Sequence, residues 1–162
     1  MTVTLRSLTL EDTAAVHDYA RLPESSAFQP WGPNTEEETA AYVREAVAAG
    51  PDRLVFAILR DGGLVGAAEL LLRGPAAAEI GYVVHPRHHG QGIATAAARQ
   101  LLRLGFDEYA RHRIYATCDP RNLASAAVLR RIGMRHEGRM RGTILLPTGW
   151  RDSDLYAVLE DD

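Results

Sequence analysis

The sequence predicts an α/β (α+β) protein built on a mixed, largely antiparallel sheet with helices packed on it. Three observations predict this. Residues 54 to 84 hold three apolar, β-branched runs joined by two short Gly- and Pro-containing turns, the pattern of antiparallel neighbours. The third run leads through a glycine loop into Ile93, Ala97, Leu101 and Leu104, spaced as one face of a helix. Arg113-Ile114-Tyr115-Ala116-Thr117-Cys118 follows that helix as a strand reached by a crossover, so it should lie parallel to the run 76–84.

Each element has its own signal. Val3 and Leu5 alternate with polar neighbours in a short first strand, and Thr9-Leu10-Glu11-Asp12 has the form of a helix cap. The helix it opens should reach about Leu22, where Pro23 stops it. Prolines and glycine break every period from Glu24 to Asn34, so that stretch is a loop, with Trp31 its most informative residue. Thr35-Glu36-Glu37-Glu38 caps a second helix, closed by Gly50 and Pro51. Leu54, Phe56 and Ile58 alternate in a strand that turns at Asp61-Gly62-Gly63 into a strand from Leu64 to Leu72. Arg73-Gly74-Pro75 turns the chain again, into the run ending at Val84. After the crossover strand, Asp119-Pro120-Arg121-Asn122 makes a turn. Leu123 to Ile132 forms a helix ended by Gly133, and Arg135 to Leu159, broken at Pro147-Thr148-Gly149, forms a final hairpin.

Composition limits the function. At 162 residues the chain has the size of one domain, expected to span 1–162, and 46% apolar with 24% charged residues is ordinary for a globular protein. A formal charge of −3 argues against nucleic-acid binding by phosphate neutralisation. The single cysteine, Cys118, cannot form an internal disulfide, and neither a basic-plus-apolar leader nor a long apolar span is visible. The expectation is a reduced, cytoplasmic protein away from membranes. All 18 basic residues are arginine, from which no mechanism follows.

The junction of strand, glycine loop and helix is the strongest binding signal. A first helical turn offers amides without partners and the positive end of the helix dipole, which suits a phosphate, and Gly90 and Gly92 allow close approach to the main chain. Neither the three-glycine dinucleotide fingerprint nor a Gly-Lys-Ser/Thr P-loop is present.

Val84-His85-Pro86-Arg87-His88-His89-Gly90-Gln91-Gly92-Ile93-Ala94 resembles, without a gap, the fingerprint of the GNAT superfamily of N-acetyltransferases, with His89 where Gln or Arg is usual. Ala78-Glu79-Ile80-Gly81-Tyr82, His112-Arg113-Ile114-Tyr115-Ala116, Asp119-Pro120-Arg121-Asn122-Leu123-Ala124-Ser125, Gly133-Met134 and Gly149-Trp150-Arg151-Asp152-Ser153 extend the likeness. They are similar to the RimJ/RimL branch, named for acetyltransferases of ribosomal-protein N-termini. The first 50 residues resemble it chiefly through Pro30-Trp31-Gly32-Pro33.

The resemblance implies the GNAT fold, a twisted mixed sheet with helices on both faces and splayed central parallel strands. It implies acetyl-CoA as co-substrate, an amine acceptor (a peptide N-terminus or a small amine) and direct attack in a ternary complex without a metal. Tyr82, Val83 and Val84 would border the pantetheine, and the Val84 N–H would meet the thioester carbonyl. His89, Gly90, Gln91, Gly92, Ile93, Ala94 and Thr95 would surround the pyrophosphate, and Asn122 and Ser125 the pantetheine arm. Oligomeric state is left open, a homodimer among the options.

Acetyl transfer needs an uncharged amine, a stabilised oxyanion and a proton for the leaving thiolate. Glu79 resembles the carboxylate that deprotonates the amine in some GNAT enzymes; the alternative is a surface or ion-pair role, and Glu69 is the reserve. The tyrosine that many members use as acid would fall at Leu129, so it is absent, and Ser125 matches the serine given that task in the RimJ/RimL branch. A serine there can also be a simple cap. A second glutamate used by some of these enzymes would fall near Ile144. His85, His88 and His89 have no metal-site spacing and are expected to pair with phosphate or face solvent. Cys118 reads as core filling rather than a nucleophile. Trp31, Trp150 and Tyr156 are candidates to line the acceptor cleft, with core closure as the alternative. Two rivals to catalysis are a non-catalytic acyl-CoA sensor and a nucleotide-binding regulator.

Overall fold

Along the chain, the computed structural model of residues 1–162 runs β1 (Val3–Ser7), α1 (Thr13–Ala20), α2 (Glu36–Val47), β2 (Arg53–Arg60), β3 (Gly63–Arg73), β4 (Ala77–Val84), α3 (Ile93–Arg103), β5 (Arg113–Cys118), α4 (Leu123–Arg131), β6 (Arg135–Leu146) and β7 (Gly149–Leu159). The capping signals act as expected. Thr35 Oγ1 accepts from the Glu38 N–H at 3.2 Å while Glu38 Oε2 accepts from the Thr35 N–H at 2.8 Å, satisfying two amides that α2 leaves open. At Thr9, Asp12 Oδ2 accepts the Thr9 N–H at 2.8 Å, but the cap opens a 3-10 turn, Leu10–Asp12, before α1.

Two helix ends differ from expectation. α1 stops at Ala20, two residues short of Leu22, and α3 gives way after Arg103 to a π turn, Leu104–Glu108. Gly105 in that turn is pressed against β5: a Cβ there would lie 2.5 Å from Ile114 Cδ1.

The strands form one sheet in the order β1-β2-β3-β4-β5-β7-β6, antiparallel except for β4 and β5, which run parallel across the α3 crossover. Strand alternation divides the core between two faces. Ala68, Leu70, Ile80 and Val84 pack with α3 and α4 through Ile93, Ala97, Leu101 and Leu129. Val55, Ala57 and Ala67 pack with α1 and α2 through Val16, Tyr19 and Val43. No helix is long and apolar enough to cross a membrane.

One close approach shapes the centre of the sheet. Ile58 pairs with Gly66 but Leu59 with Leu64, so Val65 is an extra residue in β3. Beside it, Gly66 faces Val84, and a Cβ on Gly66 would lie 2.2 Å from the Val83 carbonyl oxygen. A backbone oxygen cannot rotate away, so Gly66→Ala must push β3 and β4 apart. It should destabilise the fold by about 2 kcal/mol or more, read as a lower urea midpoint than that of Gly63→Ala, whose Cβ would find no atom nearer than 3.7 Å.

Candidate active site

Sheet pairing fails at one place inside the sheet. β4 pairs with β5 only from Ala77 to Glu79, opposite Arg113 to Tyr115, although β4 continues to Val84 and β5 to Cys118. Beyond Glu79 the two strands form a fork. The His85 N–H bonds to Val65 O on β3 at 2.8 Å. Because amides alternate along a strand, those of Ile80, Tyr82 and Val84 turn toward the gap. His89 holds the end of the fork: its Nε2–H donates to the Val84 carbonyl at 2.8 Å. The residue at the unusual fingerprint position thus braces the strand that it follows.

At the open end of β4 the glycine loop meets α3. Gly90 and Gly92 have φ of +73° and +77°, a region that favours glycine, and a Cβ on either would meet no atom within 4 Å. Gly92 is the N-cap of α3 and supplies no side-chain acceptor, so the amides of the first turn remain available to an anion. That combination fits a pyrophosphate. The neighbouring histidines go elsewhere. His85 is buried; its Nδ1 accepts the Arg87 N–H at 3.1 Å, which puts the ring hydrogen on Nε2, 3.2 Å from Asp18 Oδ2 on α1. His88 Nδ1 accepts from Arg60 at 3.1 Å, and the same guanidinium bonds Gln91 Oε1. Lost hydration and the Arg60 charge hold the His88 imidazole below its ordinary pKa.

The fork opens into a cleft of about 800 Å³ between the sheet, α1, α2, the Phe28–Asn34 loop and the start of α4. Glu79 stands at its closed end, on the last β4–β5 rung. Arg73 donates to Glu79 Oε2 from Nη2 at 2.7 Å and from Nε at 3.1 Å, and the Tyr115 hydroxyl at 3.4 Å, leaving Oε1 uncommitted. Glu69 lies beside the open part of the fork. It faces Gly81, whose missing side chain leaves room for its carboxylate, and accepts from Arg53 Nε at 3.1 Å. On the opposite wall, Asn122 caps α4 by accepting the Ser125 N–H on Oδ1 at 3.1 Å, and Ser125 Oγ lies 3.2 Å from the Tyr82 hydroxyl.

The turn that carries Asn122 is fixed by Asp119. Its carboxylate is buried and accepts the Arg121 backbone N–H at 2.9 Å and Arg121 Nη2 at 2.7 Å. Hydrogen bonding from Arg121 holds it below the usual carboxylate pKa. Sequence reasoning saw a turn here but not its anchor. It also missed Arg151, nine-tenths buried against the cleft with Nε 3.8 Å from Asp119 Oδ2, and Tyr42, which lines the α2 side. Arg151 falls within Gly149-Trp150-Arg151-Asp152-Ser153, which marks the stretch but not the role of the arginine, and nothing local in the sequence marks Tyr42.

Not all expected residues converge. Trp31 lines the cleft. Trp150 does not: it sits at the start of β7, paired with Leu145 of β6, with 69% of its surface exposed. Tyr156 pairs with Ala116 on the α4 side of the sheet and is buried, its hydroxyl accepting from Arg130 at 3.2 Å, so it closes the core. Leu129 is likewise core, and Ile144 borders the cleft without offering a carboxylate. Cys118 is buried at the cleft wall, and burial pushes its thiol pKa up, against a nucleophilic thiolate.

A parallel pair that diverges beside an anion-ready helix start makes a cleft suited to an extended ligand that carries a phosphate. Residues 2–135 match the model of the acetyltransferase (GNAT) domain, and the chain belongs to the GNAT acetyltransferase family. It is 32% identical over 159 residues to the uncharacterised N-acetyltransferase YnaD of Bacillus subtilis, covering 98% of this chain and 94% of that protein. A GNAT-family acetyltransferase structure from Bacillus anthracis superposes with a TM-score of 0.90 at 33% identity, covering 100% of this chain and 97% of that one. Mycobacterium smegmatis RimJ in complex with CoA-disulfide superposes with a TM-score of 0.85 at 29% identity, covering 98% and 82%.

Asp119 gives the site a pH limit. Its folded pKa is depressed, so the stability it contributes is present above the unfolded value of about 3.9 and is lost as pH falls through the folded one. Asp119→Asn should lower the melting temperature by a few degrees at pH 7 and flatten its fall below about pH 4, as followed by circular dichroism.

Proposed function

We propose that residues 1–162 act as one domain that moves the acetyl group of acetyl-CoA to a primary amine by direct attack in a ternary complex. The observation that carries this is the fork itself, with unpaired β4 amides directed into it and the uncapped start of α3 at its mouth. Acetyl-CoA supplies an activated acyl group. Main-chain amides from Gly90 to Thr95 hold its pyrophosphate, with Gln91 in that loop and His89 as the brace behind it. The β4 edge at Tyr82, Val83 and Val84 aligns the pantetheine, helped by the Asn122 side-chain amide. The Val84 N–H donates to the thioester oxygen as charge develops there. Glu79 takes the proton of the amine, Trp31 bounds the acceptor, and Ser125 serves the leaving sulfur.

The acceptor that fits best is an α-amine, as the likeness to the RimJ/RimL branch suggests. Both carboxylates near the fork are already engaged by arginine, Glu79 by Arg73 and Glu69 by Arg53, which leaves less of either carboxylate free to meet an amine and favours an acceptor that is already partly neutral. An α-amine of pKa about 8 is roughly a tenth neutral at pH 7, whereas a lysine amine of about 10.4 is almost wholly charged.

The test is thiol release from acetyl-CoA against N-terminal peptides, amino acids and alkyl amines. Turnover should be fastest with α-amines at pH 7, and CoA binding without turnover on any amine would overturn the proposal. Glu79→Gln should lower kcat/KM by about 100-fold near pH 6 and by less near pH 9. An unchanged profile, with the loss appearing instead in Glu69→Gln, would move the base to the residue beside Gly81.

A further inference from the structure

A serine hydroxyl has one hydrogen and two lone pairs, so its use depends on which neighbour supplies a hydrogen to it. Ser125 Oγ and Tyr82 Oη are 3.2 Å apart, and one of them must donate. A phenol is a much stronger acid than an aliphatic alcohol, hence the better donor, and the Tyr82 hydroxyl makes no other hydrogen bond. The hydrogen between them therefore belongs to Tyr82, leaving the Ser125 hydrogen for the cleft that both residues line.

The surroundings favour the same direction. Tyr82 projects from β4 on the α4 side, packed against the core with most of its ring enclosed. Ser125 lies in the first turn of α4 with its backbone fixed by the Asn122 cap. The serine is thus held at two points, its N–H by Asn122 and its oxygen by Tyr82, and the second contact spans the fork. The other titratable group acting on Tyr82 is Cys118 on β5, whose thiol stays neutral because burial raises its pKa.

The geometry points to Tyr82 as a positioning residue: its hydroxyl donates to Ser125 Oγ, and this aims the Ser125 hydrogen at the sulfur that departs when the amide forms. The inference rests on the acetyl-transfer function proposed above. In that step the acceptor nitrogen bonds to the acyl carbon and the carbon–sulfur bond breaks, its electron pair going to sulfur. The nitrogen gives its proton to a cleft carboxylate. Ser125 donates a hydrogen bond to the negative sulfur and Tyr82 donates to Ser125. Burial has pushed the Tyr82 phenol up to about 12, far above an ordinary thiol at about 8.5. A proton from Tyr82 would not remain on sulfur, so the pair stabilises the thiolate as a neutral relay of donors, and sulfur takes its proton later from solvent.

The binding test needs no turnover. In the complex with CoA, the ultraviolet absorbance of the thiolate reports the pKa of the bound thiol. Tyr82→Phe should raise that pKa by about one unit, a tenfold change in ionisation, with CoA affinity by calorimetry altered less than about twofold. In turnover with an amine, Tyr82→Phe should lower kcat about tenfold at nearly constant acetyl-CoA KM, Ser125→Ala should lower it further, and the double variant should be no slower than Ser125→Ala. Identical thiol titrations, or losses that multiply in the double variant, would overturn the inference. If Tyr82→Phe does not fold, fluorotyrosine at position 82 keeps the shape and strengthens the donor; it must shift the bound thiol the opposite way, and no shift refutes the pairing. Failure of the wild type to release thiol with every amine defeats acetyl transfer alone, since the bound-thiol titration still reports on Tyr82.

Discussion

The central constraint is a ladder left unfinished. Buried backbone N–H and C=O groups must find partners, and an interior strand normally finds them on both sides. β4 has β3 along its whole length but loses β5 after Glu79. The amides of Ile80, Tyr82 and Val84 need something else to bond, and an extended chain of amide groups lying in the fork answers that need as an added strand would. What keeps the gap from closing is local packing: Gly66 lets the Val83 carbonyl come close, His89 ties off the Val84 carbonyl, and His85 fastens the loop entrance to α1 through Asp18.

The period of two along β4 then sorts the chemistry. Tyr82 points to the α3 and α4 side, where Ser125 and Cys118 also lie. Glu79 and Gly81 point to the α1 and α2 side, with Glu69 across from Gly81 and Tyr115 beside Glu79. The residues proposed to serve the leaving group and those proposed to accept the amine proton are thereby placed on opposite faces of one strand. A thioester lying along its edge, as proposed, would meet both without either group crossing the sheet.

Much of this architecture was legible in the sequence because it depends on local rules. The Thr35 cap, the Asp61-Gly62-Gly63 turn, the crossover and the closing hairpin are all written within a few residues of where they act. The errors lie where distant residues decide. Tyr156 and Trp150 looked like cleft aromatics, but β6 and β7 slip register twice, between His136 and Gly138 and between Met140 and Ile144, so alternation cannot be carried along the hairpin from sequence alone. The pairing of Glu79 with Arg73 across a turn, and the burial of Arg151 against Asp119, need the fold before they can be seen. His89 was expected beside phosphate because the fingerprint puts a polar side chain there. Its ring instead reaches back over four intervening residues to a carbonyl, a contact set by the path of the loop.

The departures from the family pattern indicate which source of rate the site relies on. Leu129 and Ile144 occupy the places of a general acid and a second glutamate, and the two remaining carboxylates are paired with arginine. Acid–base catalysis contributes about 10²–10⁴-fold where a matched group is present. Alignment of two reactants can lower a barrier by about 7–11 kcal/mol, which is several orders of magnitude more. In the proposed reaction a rigid fork and the Val84 amide would supply alignment and charge stabilisation from the main chain, which side-chain substitution leaves in place. On the proposed mechanism, a site organised in this way can lose one acid and one base and still serve an amine that is partly neutral in water, the class of acceptor proposed above.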